Sequence, residues 1–242
     1  MIHFIGIGAQ KAGTTWLYEQ LRKHPDIRFP AGKEVHFWDA DLGRGEAWWL
    51  ALFPDTAAGV RQGEITPAYA ILDRERIGRV HAIAPQVRIF FSLRNPIARA
   101  WSSALMALAR AEMTIDEASD QWFFDHFNSS GSTRRGMYSR CLDTWLSVFP
   151  GDQLAVVFFD DIVSDPQTVL RRIFAHLGVD DRRFADGGEA SLRRPVFEGS
   201  KARIRPALLA ALRSLYEIEI ARLSRRFDRD LGHWLIWDGT DG

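Results

Sequence analysis

Lys11 lies between two glycines in the run Gly8-Ala9-Gln10-Lys11-Ala12-Gly13-Thr14-Thr15-Trp16. A glycine-bounded turn that opens a helix presents backbone N–H groups and the positive end of the helix dipole to an anion. The threonine hydroxyls add further donors, so the run is suited to cradling a phosphate. In nucleoside-triphosphate loops the lysine directly follows the second glycine. Here Thr14 takes that place and the cation sits inside the turn. A second set is Arg94-Asn95-Pro96-Ile97-Ala98-Arg99-Ala100-Trp101-Ser102. The arginine offers a planar two-donor fork for a phosphate. Ser102 falls about two helical turns past Asn95, on the same face and about 10 Å along the axis. A third set is Lys33-Glu34-Val35-His36-Phe37-Trp38-Asp39. If this stretch is extended, Glu34 and His36 point the same way, and a carboxylate beside an imidazole is a workable general base for a hydroxyl or amine.

These groups need strands and helices to aim them. Residues 2–8 read as a strand buried on both faces, followed by the loop and a helix over about 14–24 that stops before Pro25. Short helices are expected at 44–53 and 73–84. Residues 87–93 form a second buried strand, and Asn95-Pro96 supplies an N-cap and an N1 proline for a helix over 96–111. Helical patterns follow at 114–127 and 137–149, separated by a polar loop at 128–136. A third buried strand spans 154–159 and a helix starts at Asp165-Pro166. Residues 180–205 read as irregular. The last helix begins at Pro206 and carries Leu209, Leu212, Tyr216, Ile220, Leu223 and Phe227 as a core-facing stripe. Apolar strand runs alternating with helices predict a three-layer α/β/α fold with a central, mostly parallel sheet. In such a sheet ligands bind beyond the carboxyl ends of the strands, where Lys11 and Arg94 stand.

The chain has 242 residues, 46% of them apolar, and 31 basic against 31 acidic side chains. One domain spanning 1–242 is expected. Balanced charge argues against a nucleic-acid partner and makes any anion site local. The single cysteine, Cys141, rules out an intramolecular disulfide and reads as a packed core thiol. No apolar run reaches a membrane span, and a strand starting at residue 2 leaves no room for a leader, so a cytoplasmic protein is expected. The aromatic stretches at Trp48-Trp49 and Trp122-Phe123-Phe124 read as core, with the lining of an apolar acceptor pocket as the other reading.

The three sets together resemble the sulfotransferases that use 3′-phosphoadenosine-5′-phosphosulfate (PAPS), the family of the heparan sulfate N- and O-sulfotransferases and many bacterial relatives. Gly8 to Thr15 resembles the 5′-phosphosulfate loop, and Arg94 to Ser102 matches the 3′-phosphate motif R-x-P-x-x-R-x-x-S. Further matches are K-E-x-H-F-[FW] at 33–38, T-P-x-Y at 66–69, G-x-Y-x-x-x-L-x-x-W from Gly136 to Trp145, and the C-terminal Asp230-Leu231-Gly232-His233-Trp234. The resemblance implies a cofactor loop of Lys11, Ala12, Gly13, Thr14, Thr15 and Trp16, with Lys11 neutralising the oxygen that leaves sulfur. It also implies that Arg94 and Ser102 hold the 3′-phosphate, and that Lys201 and Arg203 form a basic loop near the cofactor. Glu34, with His36 beside it, would activate the acceptor. The expected reaction is sulfuryl transfer from PAPS to a hydroxyl or amine of a small-molecule, glycan or lipid acceptor, with no metal required. Two departures stand out. Ile65 follows Glu64 where the family often has lysine, and the membrane anchor and disulfide of the Golgi members are missing. An ATP-dependent small-molecule kinase and a non-catalytic nucleotide-binding module are the alternative readings, and neither explains why the 3′-phosphate motif accompanies the loop.

Overall fold

A computed structural model describes residues 1–184, 192 and 202–239. The chain forms two compact units, each made of two stretches: Met1–Leu93 with Asp143–Val196, and Arg94–Leu142 with Phe197–Gly242.

The first unit is built on a five-stranded sheet in the order β2-β3-β1-β4-β5. Its strands are β1 (Phe4–Gly8), β2 (Ile27–Arg28), β3 (Arg61–Ile65), β4 (Arg88–Leu93) and β5 (Leu154–Phe158). Every pairing is parallel, with Gly6 of β1 opposite Ile65 of β3 and Phe90 of β4. Because β3 lies on one side of β1 and β4 on the other, the strand order reverses at β1. The loop after β1 therefore opens at the point where such sheets bind ligands. Side chains alternate between faces along a strand. One set, Phe4, Ile65, Phe90 and Val157, packs with Trp16, Leu17 and Leu21 of α1 (Thr14–Leu21). The same cluster takes in Ile162 of the helix Phe159–Ser164 and Val169, Leu170, Ile173 and Phe174 of the helix Pro166–Leu177. The alternate set, Ile5, Ile7, Ile89 and Phe91, is fully buried too. Helices thus cover both faces, as the apolar strand runs predict.

The middle of the sheet departs from the reading of three strands. Arg61-Gln62-Gly63-Glu64-Ile65 has no apolar run, yet it is an interior strand with Gln62 and Glu64 buried. Its polar groups are satisfied inside the protein, which is the condition for burying them. The Gln62 amide donates to the Met1 and Pro54 carbonyls, and Glu64 is treated below. The short helix Glu46–Ala51, called α2 here, and the helix α3 (Arg74–Ile83) lie within their expected spans.

In the second unit α4 (Pro96–Arg110) starts as expected, with the Asn95 carboxamide oxygen accepting from Ile97 N–H at 3.0 Å. The stretch expected to be helical from 114 turns helical only at α5 (Asp120–Asn128), capped by Ser119. The expected polar loop is largely a helix, α6 (Ser130–Gly136), because Ser129 caps it by accepting from Ser132 N–H at 3.2 Å. Helix α7 (Tyr138–Leu146) follows, its residues up to Leu142 belonging to this unit. The long C-terminal helix Pro206–Phe227 buries Leu208, Leu212, Tyr216, Glu219, Ile220 and Leu223, so Leu208 rather than Leu209 begins the stripe. Cys141 is buried as expected, and burial pushes its thiol up to about 12. Trp49 and Phe123 are fully buried core residues. No helix among the described residues is long and apolar enough to cross a membrane.

Candidate active site

The loop between β1 and α1 is held from both ends. Ala9 N–H donates to Ser92 O at 2.7 Å, and the Ser92 hydroxyl donates to Ala12 O at 2.5 Å, so the exit of β4 fixes the loop. Gly13 is the N-cap of α1 at φ 80°, in the left-handed region. A side chain there is excluded twice, by that backbone and because a Cβ would come within 2.9 Å of the Phe159 ring. The N–H groups of Thr14, Thr15 and Trp16 lie in the first turn, where the helix itself supplies no acceptor. Such a helix N-terminus is an arrangement suited to an anion. Thr14 is buried while Lys11 and Thr15 are half-buried, and Lys11 is itself left-handed at φ 67°. Ala12 is fully buried. The Trp16 indole is buried and donates to Leu192 O at 2.9 Å. Its side chain is thereby committed to the core, and what it presents to a ligand is its N–H.

The segment at residues 33–39 sits at the neighbouring strand end. Glu34 N–H donates to Ile65 O, the last residue of β3, at 3.0 Å. The segment is not the extended strand the alternation argument assumed: Glu34 and His36 are both left-handed, at φ 66° and 57°. They meet nonetheless. His36 Nε2 lies 3.5 Å from Glu34 Oε2, and His36 Nδ1 lies 3.0 Å from Asp39 Oδ2. Lys33 Nζ donates to the other Glu34 oxygen. Partial burial works against the imidazolium, but hydrogen bonding and charge from Asp39, then from Glu34, outweigh it and raise the His36 pKa. Asp39 thus orients the imidazole and favours its charged form. Sequence reading gave it no role, although its place three residues past His36 in a chain reversal was the available signal.

Glu64 was also passed over. It is fully buried, and its carboxylate accepts from Trp49 Nε1–H at 2.7 Å, the Thr66 hydroxyl at 2.6 Å and the Tyr69 hydroxyl at 3.3 Å. Burial pushes its pKa up to about 7 against these hydrogen bonds, which pull it down. The folded protein therefore holds this proton more tightly than the unfolded chain. That contribution to stability is complete below about pH 4.5 and is lost as pH rises to about 7, a change on the order of 3 kcal/mol. The stability difference between the unaltered protein and Glu64→Gln, from urea unfolding at successive pH values, should fall across that window and level off above it. A flat difference would show that Glu64 is ionised throughout.

In the second unit Arg94, nearly buried, directly precedes the α4 cap, and its carbonyl accepts from the buried Tyr138 hydroxyl at 2.9 Å. Ser102 lies in α4, half-buried. Arg203 is exposed, and Lys201 lies outside the described residues.

The structure thus has a parallel sheet with a glycine-bounded loop at its switch point and a carboxylate–imidazole pair at the next strand end. Residues 2–189 match the sulfotransferase domain, and the chain belongs to that family of enzymes, which transfer sulfuryl groups. It is 31% identical to human heparan sulfate glucosamine 3-O-sulfotransferase 6 over 96% of this chain and 72% of that protein. The crystal structure of a sulfotransferase from Alicyclobacillus acidocaldarius superposes with a TM-score of 0.73 at 25% identity, covering 97% of this chain and 98% of that one. Mouse sulfotransferase SULT7A1, solved in complex with PAP, shares the fold at a TM-score of 0.59 and 15% identity, covering 94% of this chain and 88% of that one.

Proposed function

We propose that residues 1–242 act as one sulfotransferase domain that moves the sulfuryl group of PAPS to a hydroxyl of a glycan acceptor. The Lys11–Thr15 turn at the N-terminus of α1 carries this reading, because it offers backbone donors, a left-handed glycine with no room for a side chain, and a cation inside the loop. These features fit a phosphosulfate. Gly13, Thr14 and Thr15, with the N–H group of Trp16, hold the 5′-phosphate, while Ala12 N–H donates to Ala9 O at 3.2 Å and shapes the loop, and Lys11 meets charge as it develops on the bridging oxygen. Arg94 and Ser102 take the 3′-phosphate, and Lys201 and Arg203 supply further positive charge to the cofactor. The donor supplies an activated sulfuryl group, and the protein supplies position and charge. Glu34 accepts the acceptor's proton at Oε2, while His36, held by Asp39, keeps that carboxylate ionised until the proton arrives. The glycan acceptor is supported by the relatives, which are named for glucosamine of heparan sulfate. No metal is assigned a role.

Calorimetric titration tests the donor. Adenosine 3′,5′-bisphosphate should bind more tightly than ADP or ATP, with or without magnesium. A preference for magnesium-ATP would identify a kinase. Arg94→Ala should weaken the bisphosphate by about 10–100-fold, the value of charged hydrogen bonds, and leave adenosine 5′-monophosphate nearly unchanged. Equal losses would remove Arg94 from the 3′-phosphate.

A further inference from the structure

We propose that Arg44 recognises the acceptor by its charge: fixed by Asp41 and by the Trp48 ring, it holds its terminal Nη pair ready for a carboxylate or sulfate of an anionic glycan. The proposal rests on the reading of a glycan as the acceptor and of Glu34 and His36 as the acid–base pair. The turn that carries Arg44 starts at that pair. Ala40 N–H and Asp41 N–H both donate to His36 O, at 3.0 and 3.1 Å, and Arg44 N–H donates to Asp41 O at 3.0 Å. Gly45 then reverses the chain at φ 81°, in the left-handed region that glycine adopts readily. Helix α2 therefore folds back, and Trp48 comes against the guanidinium four residues before it. Arg44 Cζ stands 4.6 Å from the centre of the Trp48 ring. That ring in turn lies 5.9 Å from the ring of Phe37, the neighbour of His36.

Every side of the guanidinium but one has an occupant. Nε donates to Asp41 Oδ2 at 3.2 Å, and a face rests on the indole, the best aromatic partner for a cation. Nη1 and Nη2 make no hydrogen bond among the described residues. What remains is the end-on fork, two N–H donors that match a carboxylate or sulfate and that a lysine does not reproduce. The Arg44 side chain is 55% exposed, so the fork is within reach of a ligand. Its platform is pinned to the rest of the unit. Trp49, next to Trp48, is fully buried and donates to Glu64 at 2.7 Å, and Glu46 accepts from Arg79 of α3 at 2.7 Å. A guanidinium held in this way has little rotamer freedom left to lose on binding. An exposed ion pair such as Arg44–Asp41 adds little to stability, so the fold alone does not account for the arrangement. A neutral alcohol gives the fork nothing to hold, whereas an acidic sugar chain brings an anion beside the hydroxyl that meets Glu34.

The probe is a heparan sulfate hexasaccharide, titrated calorimetrically into the full chain saturated with adenosine 3′,5′-bisphosphate. Arg44→Ala should weaken the hexasaccharide by about 5–20-fold, between an exposed ion pair and a full charge-assisted hydrogen bond, and leave the bisphosphate within about twofold. Arg44→Lys should recover only part of the loss. Trp48→Ala should lose as much as Arg44→Ala, because the platform goes, while Trp48→Phe should lose less. The Arg44→Ala penalty should shrink to about twofold or less on the carboxyl-reduced or on the desulfated hexasaccharide, and whichever shrinks it identifies the anion. Equal affinity in Arg44→Ala and the unaltered protein overturns the proposal. So does full affinity in Arg44→Lys, which would leave charge without a fork, or a penalty kept whole on both modified sugars. Failure of the underlying reading looks different: unaltered protein that binds the bisphosphate but not the hexasaccharide would remove the glycan acceptor, and the role of Arg44 with it.

Discussion

Glu34→Gln should reduce kcat by about 10²–10⁴-fold, the usual value of a positioned general base and about 3–5 kcal/mol of transition-state stabilisation. Affinity for adenosine 3′,5′-bisphosphate should stay within about twofold, because the phosphate loop lies on β1 and the base on the segment bonded to β3. The amide keeps the shape and the approach to His36 but cannot take a proton from a hydroxyl. The measurement is steady-state turnover on an acceptor that supports the unaltered enzyme, with His36→Ala and Asp39→Asn in parallel. Those two should cost less, since they act through Glu34. Near-normal turnover in Glu34→Gln with none in His36→Ala would move the base to the imidazole.

Lys11→Met should lower kcat by about 10²–10³-fold, the cost of removing a preorganised group that meets developing charge. Binding of the bisphosphate should weaken less, because the helix N-terminus and its N–H groups remain. The split decides the role: a lysine that serves only ground-state binding would raise KM and leave kcat alone. Since Lys11 is left-handed at φ 67°, Lys11→Gly is the control for backbone relief. It should be as slow as the methionine variant if the ammonium matters. Lys11→Arg should recover little, since a planar fork does not replace a compact point charge.

The parts read correctly in advance share one property: a local physical cause. The strands at β1, β4 and β5 are built on apolar runs, which only a sheet covered on both faces buries. The start of α4 follows from an asparagine cap and a proline at the first position. The loop is defined by glycines with a lysine and threonines at fixed offsets. β3 was missed because Gln62 and Glu64 look solvated in one dimension, and only the packed structure shows the partners that make them interior residues. α6 was missed because its seven residues are serine, glycine, threonine and arginine, and a serine cap outweighed that composition.

The sequence by itself determined the chemistry on offer: a phosphate-cradling loop, an arginine–serine helix entry, a carboxylate near an imidazole, and a parallel sheet to hold them. Those are properties of residue type and short spacing, which local sterics and hydrogen bonding translate directly into structure. Tertiary structure alone decided how the carboxylate and the imidazole meet. Glu34 and His36 meet through two left-handed residues instead of the alternation of a strand. Asp39 turns the imidazole, and Glu64, 30 positions from Glu34 in the chain, is buried with Trp49, Thr66 and Tyr69 as its donors. The physical reason is burial: a carboxylate withdrawn from water must find its donors inside the protein, and the indole donor that Glu64 found lies on a separate element, α2.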